Sequence, residues 1–195
     1  MGADLPIRAI DERARPQPDS RRAVEPGDAA RRVGGSVATG RAHDEVALRD
    51  FLEGVSPDSL RRRFFGTPDL GWTARSLVER CGAVDFGLVV HEAHTSAIVA
   101  HAGWFRIDSE RAEAAFLVTD SWQGRGLGAL LLSRLAQGAE QRGVATLVAE
   151  VLPGNRAMLT VFERCGYPVD VRADVHGVEV QIDVATRVRE LARAA

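Results

Sequence analysis

Lysine is absent from this 195-residue chain, and all 25 of its basic residues are arginine. A phosphate loop that ends in Gly-Lys-Ser/Thr is therefore excluded. Cysteine is scarce: Cys81 and Cys165 stand far apart and lack metal-ligand spacing, so no metal is expected, and they fit a reducing, cytoplasmic setting. No segment reaches the roughly 20 apolar residues of a membrane helix, and the N-terminus has no apolar stretch of signal-peptide length. The net charge is −2 and the arginines are scattered among acids, which argues against nucleic-acid or membrane partners. What is present, 45% hydrophobic and 27% charged residues, is the balance of a soluble domain with one buried core.

Residues 1–35 read as a disordered tail. They carry Pro6, Pro16, Pro18 and Pro26 among many charges and hold no aromatic residue, too little apolar surface to offset the entropy of ordering. The pattern changes at Ser36, where a domain over 36–184 begins. A strand is expected over 37–41 and a helix from Asp44 to near Gly54. A second helix opens at Ser56-Pro57-Asp58, with Ser56 as N-cap and Pro57 in the first turn, and puts Leu60, Phe64 and Phe65 on one side. A third covers 73–81. Strands follow over 86–92, 98–107 and 113–119, the last with the nearly continuous apolar run of a strand covered on both faces. A helix over about 126–142 repeats Leu127, Leu131, Leu135 and Ala139 on its buried side. A strand over 145–152 and a short helix after Asn155 come next. A hairpin then alternates Val169, Val171, Ala173 and Val175 with Val178, Val180, Ile182 and Val184 about a His176-Gly177 turn. Residues 185–195 read as a short helical extension.

The chemistry sits between the strand over 113–119 and the long helix. A strand running through Gly124, Gly126 and Gly128 into a helix makes an anion site. The first helical amides lack partners, the helix dipole is positive there, and glycine lets a ligand approach the backbone. Arg125 adds a charge. The loop lacks G-x-G-x-x-G spacing and follows antiparallel strands, so it is not a dinucleotide fingerprint.

The run Val118-Thr119-Asp120-Ser121-Trp122-Gln123-Gly124-Arg125-Gly126-Leu127-Gly128 resembles the acetyl-CoA signature of the GNAT acetyltransferases. The likeness continues through Glu150-Val151-Leu152, Asn155, Met158 and Cys165-Gly166-Tyr167. It implies the α/β GNAT fold, a mixed, mostly antiparallel, splayed sheet of about seven strands flanked by helices. It also implies acetyl-CoA as co-substrate. Backbone at Val118 would meet the pantetheine arm, the amides of Gln123, Gly124, Arg125, Gly126, Leu127, Gly128 and Ala129 would hold the pyrophosphate, and Asn155 and Phe162 would line the thiol end. Direct attack by a neutral amine needs a general base, since a lysine amine has a pKa of about 10.4. The resemblance points to Glu113, whose other reading is a surface glutamate paired with Arg111 or Arg106; Glu150 is the alternative base. Many members place a tyrosine where this chain has Phe162, which donates no proton.

The segment from Phe51 to Phe65 is similar to the front of Pat-type bacterial protein lysine acetyltransferases, which implies a protein acceptor presenting a lysine, often an acyl-CoA synthetase. A small-molecule amine acetyltransferase and a non-catalytic acyl-CoA sensor are the other readings. The all-arginine bias suits either codon bias in a GC-rich genome or an enzyme that avoids modifying its own amines. The Arg61-Arg62-Arg63 run reads as a solvated helix face, His91 and His94 as exposed, His101 as a core histidine, Trp104 and Phe105 as core, and Tyr167 as a packing residue.

Overall fold

The computed structural model describes residues 35–39, 45–80, 86–175 and 177–185. Strand β1 (Gly35–Thr39) is followed by helices α1 (Glu45–Glu53), α2 (Pro57–Phe64) and α3 (Leu70–Arg80). Strands β2 (Phe86–Glu92), β3 (Ile98–Arg106) and β4 (Arg111–Val118) lead through a 3₁₀ turn at Asp120–Trp122 into α4 (Leu127–Gln141). Then come β5 (Thr146–Val151), α5 (Arg156–Glu163), β6 (Val169–Ala173) and β7 (Val178–Asp183). The seven strands form one sheet in the order β1-β2-β3-β4-β5-β7-β6. All neighbours are antiparallel except β4 and β5, which α4 connects as a parallel crossover.

The expected strands and helices are present, with several corrections. Gly35 belongs to β1, which runs two residues ahead of the expected strand; residues 1–34 lie outside the described residues. Helix α3 begins three residues early because the Asp69 carboxylate accepts from the Trp72 N–H at 2.8 Å and caps it. The β6–β7 connection is a longer turn than His176-Gly177: Asp174 N–H donates to Gly177 O at 2.9 Å, and Asp174 Oδ1 accepts from Gly177 N–H. His176 and the expected extension beyond Ala185 are outside the described residues. Val175 stands outside the strand and is exposed.

The sheet separates two apolar layers. On one side Leu127, Leu131, Leu135 and Ala139 of α4 pack with Phe162 of α5 against Ala112, Ala114, Leu147 and Ala149. The four-residue spacing of the α4 set keeps it on one stripe. On the other side α1 and α3 cover Val89, Ile98 and Leu117 with Leu48, Phe51, Leu52 and Leu77. Trp104 is fully buried and stacks on Phe86 with ring centroids 5.8 Å apart, whereas Phe105 is half-buried under the Arg80 guanidinium.

Gly138 sets the approach of α4 to β2. A Cβ there would lie 2.7 Å from Phe86 Cε1, and the ring is held by Trp104 on one side and the Arg142 guanidinium near it. Alanine gains about 1 kcal/mol in a helix over glycine, but overpacking a fixed ring costs about 1–3 kcal/mol. Gly138→Ala is expected to lower the melting temperature by a few degrees in differential scanning calorimetry.

Candidate functional site

Strands β4 and β5 pair only from Arg111/Thr146 to Glu113/Val148. Beyond that point they part. On its other edge β4 stays paired with β3 up to Val118, and Thr119 N–H donates to Val99 O at 3.0 Å. In an antiparallel ladder alternate residues turn their N–H and C=O to the same neighbour. Thr119, Leu117 and Ala115 therefore face β3, and Phe116 and Val118 aim their backbone groups into the gap. The gap widens into a cleft of about 480 Å³ lined by Glu113 to Val118, Ala149 to Val151, the glycine loop and α5.

The loop at one end is shaped for an anion. Gly124 and Gly126 have φ of +73° and +85°, which side-chain-bearing residues adopt only with strain. Helix α4 starts at Leu127, and its first bond runs from Leu130 N–H to Gly126 O at 3.2 Å. The amides just before Leu130 are thus the open first-turn donors. A Cβ on Gly128 would stand 3.1 Å from Val161 Cγ2, so this glycine lets α4 and α5 close on each other. Arg125 lies over the Trp122 ring at 4.9 Å. At the far side Asn155 caps α5, accepting from Met158 N–H at 3.3 Å, and lines the cleft. Phe162 is buried edge-on to Phe116, with centroids 6.0 Å apart.

Gln123 turns its side chain inward: Nε2 donates to Val118 O at 3.0 Å and to Ser59 Oγ at 3.1 Å. Beside it the Asp120 carboxylate accepts from Ser56 N–H at 3.0 Å, Ser56 Oγ at 2.7 Å and Ser59 Oγ at 2.8 Å. These donors, the Ser56 N–H foremost, hold the Asp120 carboxyl below its ordinary range despite some desolvation. The network joins the N-terminus of α2 to the glycine loop across some 60 residues of sequence. In the sequence Ser56 is legible as a helix N-cap and Asp120 as part of the glycine-loop run, but their bond, which spans 64 residues, has no local signal.

Both candidate bases line the cleft. Glu113 is exposed on β4 at the point where the strands part, and Glu150 is exposed on β5 opposite Glu179 of β7. Neither Arg111 nor Arg106 pairs with Glu113. Arg111 donates to Asp108 at 2.7 Å, and Arg106 donates to Ser109 O and Arg142 O. The charge of Glu113 instead reaches Arg63. Arg63 is not on a solvated face: with Arg62 it lines the cleft, and burial lowers its pKa to about 10 against the opposing pull of Glu113. Arg62 pairs with Asp58 at 2.6 Å. Phe65, expected among the packed residues of α2, ends that helix in the left-handed region and is exposed.

His101 is buried on β3, and its Nε2 has no hydrogen-bond partner among the described residues. Burial first, and then the charge of Arg63, push its pKa down to about 3. It is therefore neutral at working pH, and it does not line the cleft. Among the other histidines, His91 is half-buried with Nδ1 2.9 Å from Ser96 O, and His94 is exposed. Tyr167 is buried, and its hydroxyl donates to Glu140 at 3.4 Å.

The sequence profile of the acetyltransferase (GNAT) family matches residues 55–167, which includes the parting strands, the glycine loop and α5. The chain belongs to the GNAT family. It is 32% identical over 169 residues to acetyltransferase Pat of Mycolicibacterium smegmatis, a match covering 84% of this chain and 45% of that protein. The chain thus spans less than half the length of that relative. The GNAT domain of S. lividans PAT is 29% identical and superposes with a TM-score of 0.67 over 76% of this chain and 90% of that one. The structure of yncA from Salmonella typhimurium, which holds its cofactor acetyl-CoA, shares 19% identity and a TM-score of 0.62 over 77% of this chain and 94% of that one, a likeness of fold. The splayed sheet expected of a GNAT domain is the sheet described here.

Two experiments probe this arrangement. Asp120→Asn replaces an acceptor with a group that turns donors toward Ser56 and Ser59. Coenzyme A affinity in calorimetry is expected to fall about three- to tenfold, in line with the loss of charge-assisted hydrogen bonds. His101 binds a proton in the unfolded chain below pH 6.5 but in the folded chain only near pH 3, so the unfolded state carries the extra proton between those values. Stability therefore falls on acidification through that window, by at most about 1.4 kcal/mol per pH unit from this residue. Denaturant melts at pH 7 and pH 5 are expected to differ less in His101→Leu than in the wild type.

Proposed function

We propose that this GNAT domain moves an acetyl group from acetyl-CoA to a primary amine, the side chain of a lysine on a protein acceptor. The observation that carries the reading is the parting of β4 from β5. It turns the Val118 N–H into the gap, with an anion-binding loop at one end and Glu113 at the other. The residues fit the cofactor: open amides for the pyrophosphate, strand-edge groups at Phe116 and Val118 for a chain of amides, and a narrow apolar wall at Phe162 and Met158 for its thiol end.

Acetyl-CoA, when bound, supplies a thioester carbonyl to a neutral amine. Glu113 takes the proton that the amine sheds. A gap-facing backbone N–H of β4 near Val118, on the Glu113 side of it, donates to the carbonyl oxygen as charge grows there. The Gln123 amide fixes the loop end of that strand edge by holding Val118 O. Phe162 offers no proton, and none is required, because a thiolate is a good leaving group.

A protein lysine is favoured over a polyamine by the charge of the walls. Arg62, Arg63 and Arg164 line the cleft against Glu113 and Glu150, so it is not the acidic cleft that a polycation selects. The likeness to Pat points the same way.

Glu113→Gln tests the base. With a lysine peptide and acetyl-CoA, the rate of thiol release at neutral pH is expected to fall about 10²–10⁴-fold, while coenzyme A affinity stays within twofold. An unchanged rate removes Glu113 from this role and makes Glu150 the next candidate.

A further inference from the structure

We propose that the Phe65 ring is an acceptor-side contact that packs against an apolar side chain next to the target lysine in the acceptor chain. The inference rests on the lysine acetyltransferase reading above and adds which lysines are preferred.

Three observations converge on this residue. Phe65 closes α2 with φ +59° and ψ +14°, and its N–H donates to Arg61 O at 2.8 Å. Helices end this way most readily on glycine, whose lack of a Cβ removes the steric penalty of the left-handed region. A bulky aromatic there is strained, and strain of this kind collects where function needs the side chain. The ring does not repay that strain by burial, because the residue is 46% exposed. Finally, Phe65 lines the cleft beside Arg62, Arg63 and Glu113.

Chain direction places Phe65 at the acceptor end. The start of α2 is fixed to the glycine loop through Asp120, so the helix runs away from the pyrophosphate end. Arg63, near its finish, senses the charge of Glu113. Phe65 follows by two residues, at the rim. A lysine that reaches Glu113 through the cleft leaves its chain neighbours at this rim. The half-exposed ring offers them an apolar face, while Arg62 and Arg63 disfavour a second cation.

The test compares peptides with one lysine flanked on both sides by leucine or by serine, at saturating acetyl-CoA, with thiol release as the readout. The wild type is expected to favour the leucine peptide about tenfold in kcat/KM. In Phe65→Gly that ratio falls to about one, while the acetyl-CoA dissociation constant is unchanged and the melting temperature is equal or higher. Phe65→Leu keeps most of the ratio. Equal rates on both peptides in the wild type, a preference that survives in Phe65→Gly, or a melting temperature several degrees lower in that variant each overturn the proposal. Release of thiol with neither peptide but with spermidine rejects the lysine acceptor itself and this proposal with it. Equal turnover of both peptides rejects this proposal alone.

Discussion

Everything at the site depends on β4 and β5 ceasing to pair after Glu113. Parallel strands joined by a crossover helix ordinarily bond along their length, and an unpaired strand edge is costly to leave in a protein interior. Here the edge is kept open by what lies on either side. Strand β4 stays registered to β3 as far as Val118, and β5 stays registered to β7 as far as Val151. Each half of the sheet is thus complete on its outer side, and the opening falls between them. The glycine loop leaves β4 at the open end, so a ligand lying against the strand edge meets the first amides of α4 without a bend in the protein.

The second wall is tied to the first by polar groups. Asp120, Ser56, Ser59 and Gln123 bond α2 to the loop in a place where burial is incomplete and apolar packing has little to offer. Hydrogen bonds to a carboxylate are directional, so the network fixes position as well as proximity. Because Gln123 also holds Val118 O, the backbone facing the gap, the anion loop and the helix carrying Arg63 and Phe65 form one connected unit.

Much of this was legible from the residues alone, for identifiable reasons. The strand, glycine loop and α4 announce themselves through local signals: a continuous apolar run, closely spaced glycines and leucines every four residues. Glu113 and Glu150 were legible through the family resemblance, as carboxylates on the two strands beside the loop. What escaped notice depends on contacts between distant segments. No local signal tells that Asp120 receives three hydrogen bonds from α2, or that Arg63 turns inward while Arg61 stays in solvent. Phe65 looked like the next residue of an apolar stripe; the helix ends under it, and the left-handed turn swings the ring outward. The start of α3 was misread because Gly71 weakens the helical pattern there and the cap at Asp69 acts over three residues.

The two halves of the sheet share only a three-residue ladder between β4 and β5, backed by the α4 core. Any extended molecule with amide groups that settles into the opening adds the rungs the protein omits and acts as a guest strand. Folding and occupancy are then linked quantities: the bound form resists unfolding in proportion to the logarithm of ligand concentration. The seam that admits the ligand is also the place where neighbouring strands share the shortest ladder in the sheet.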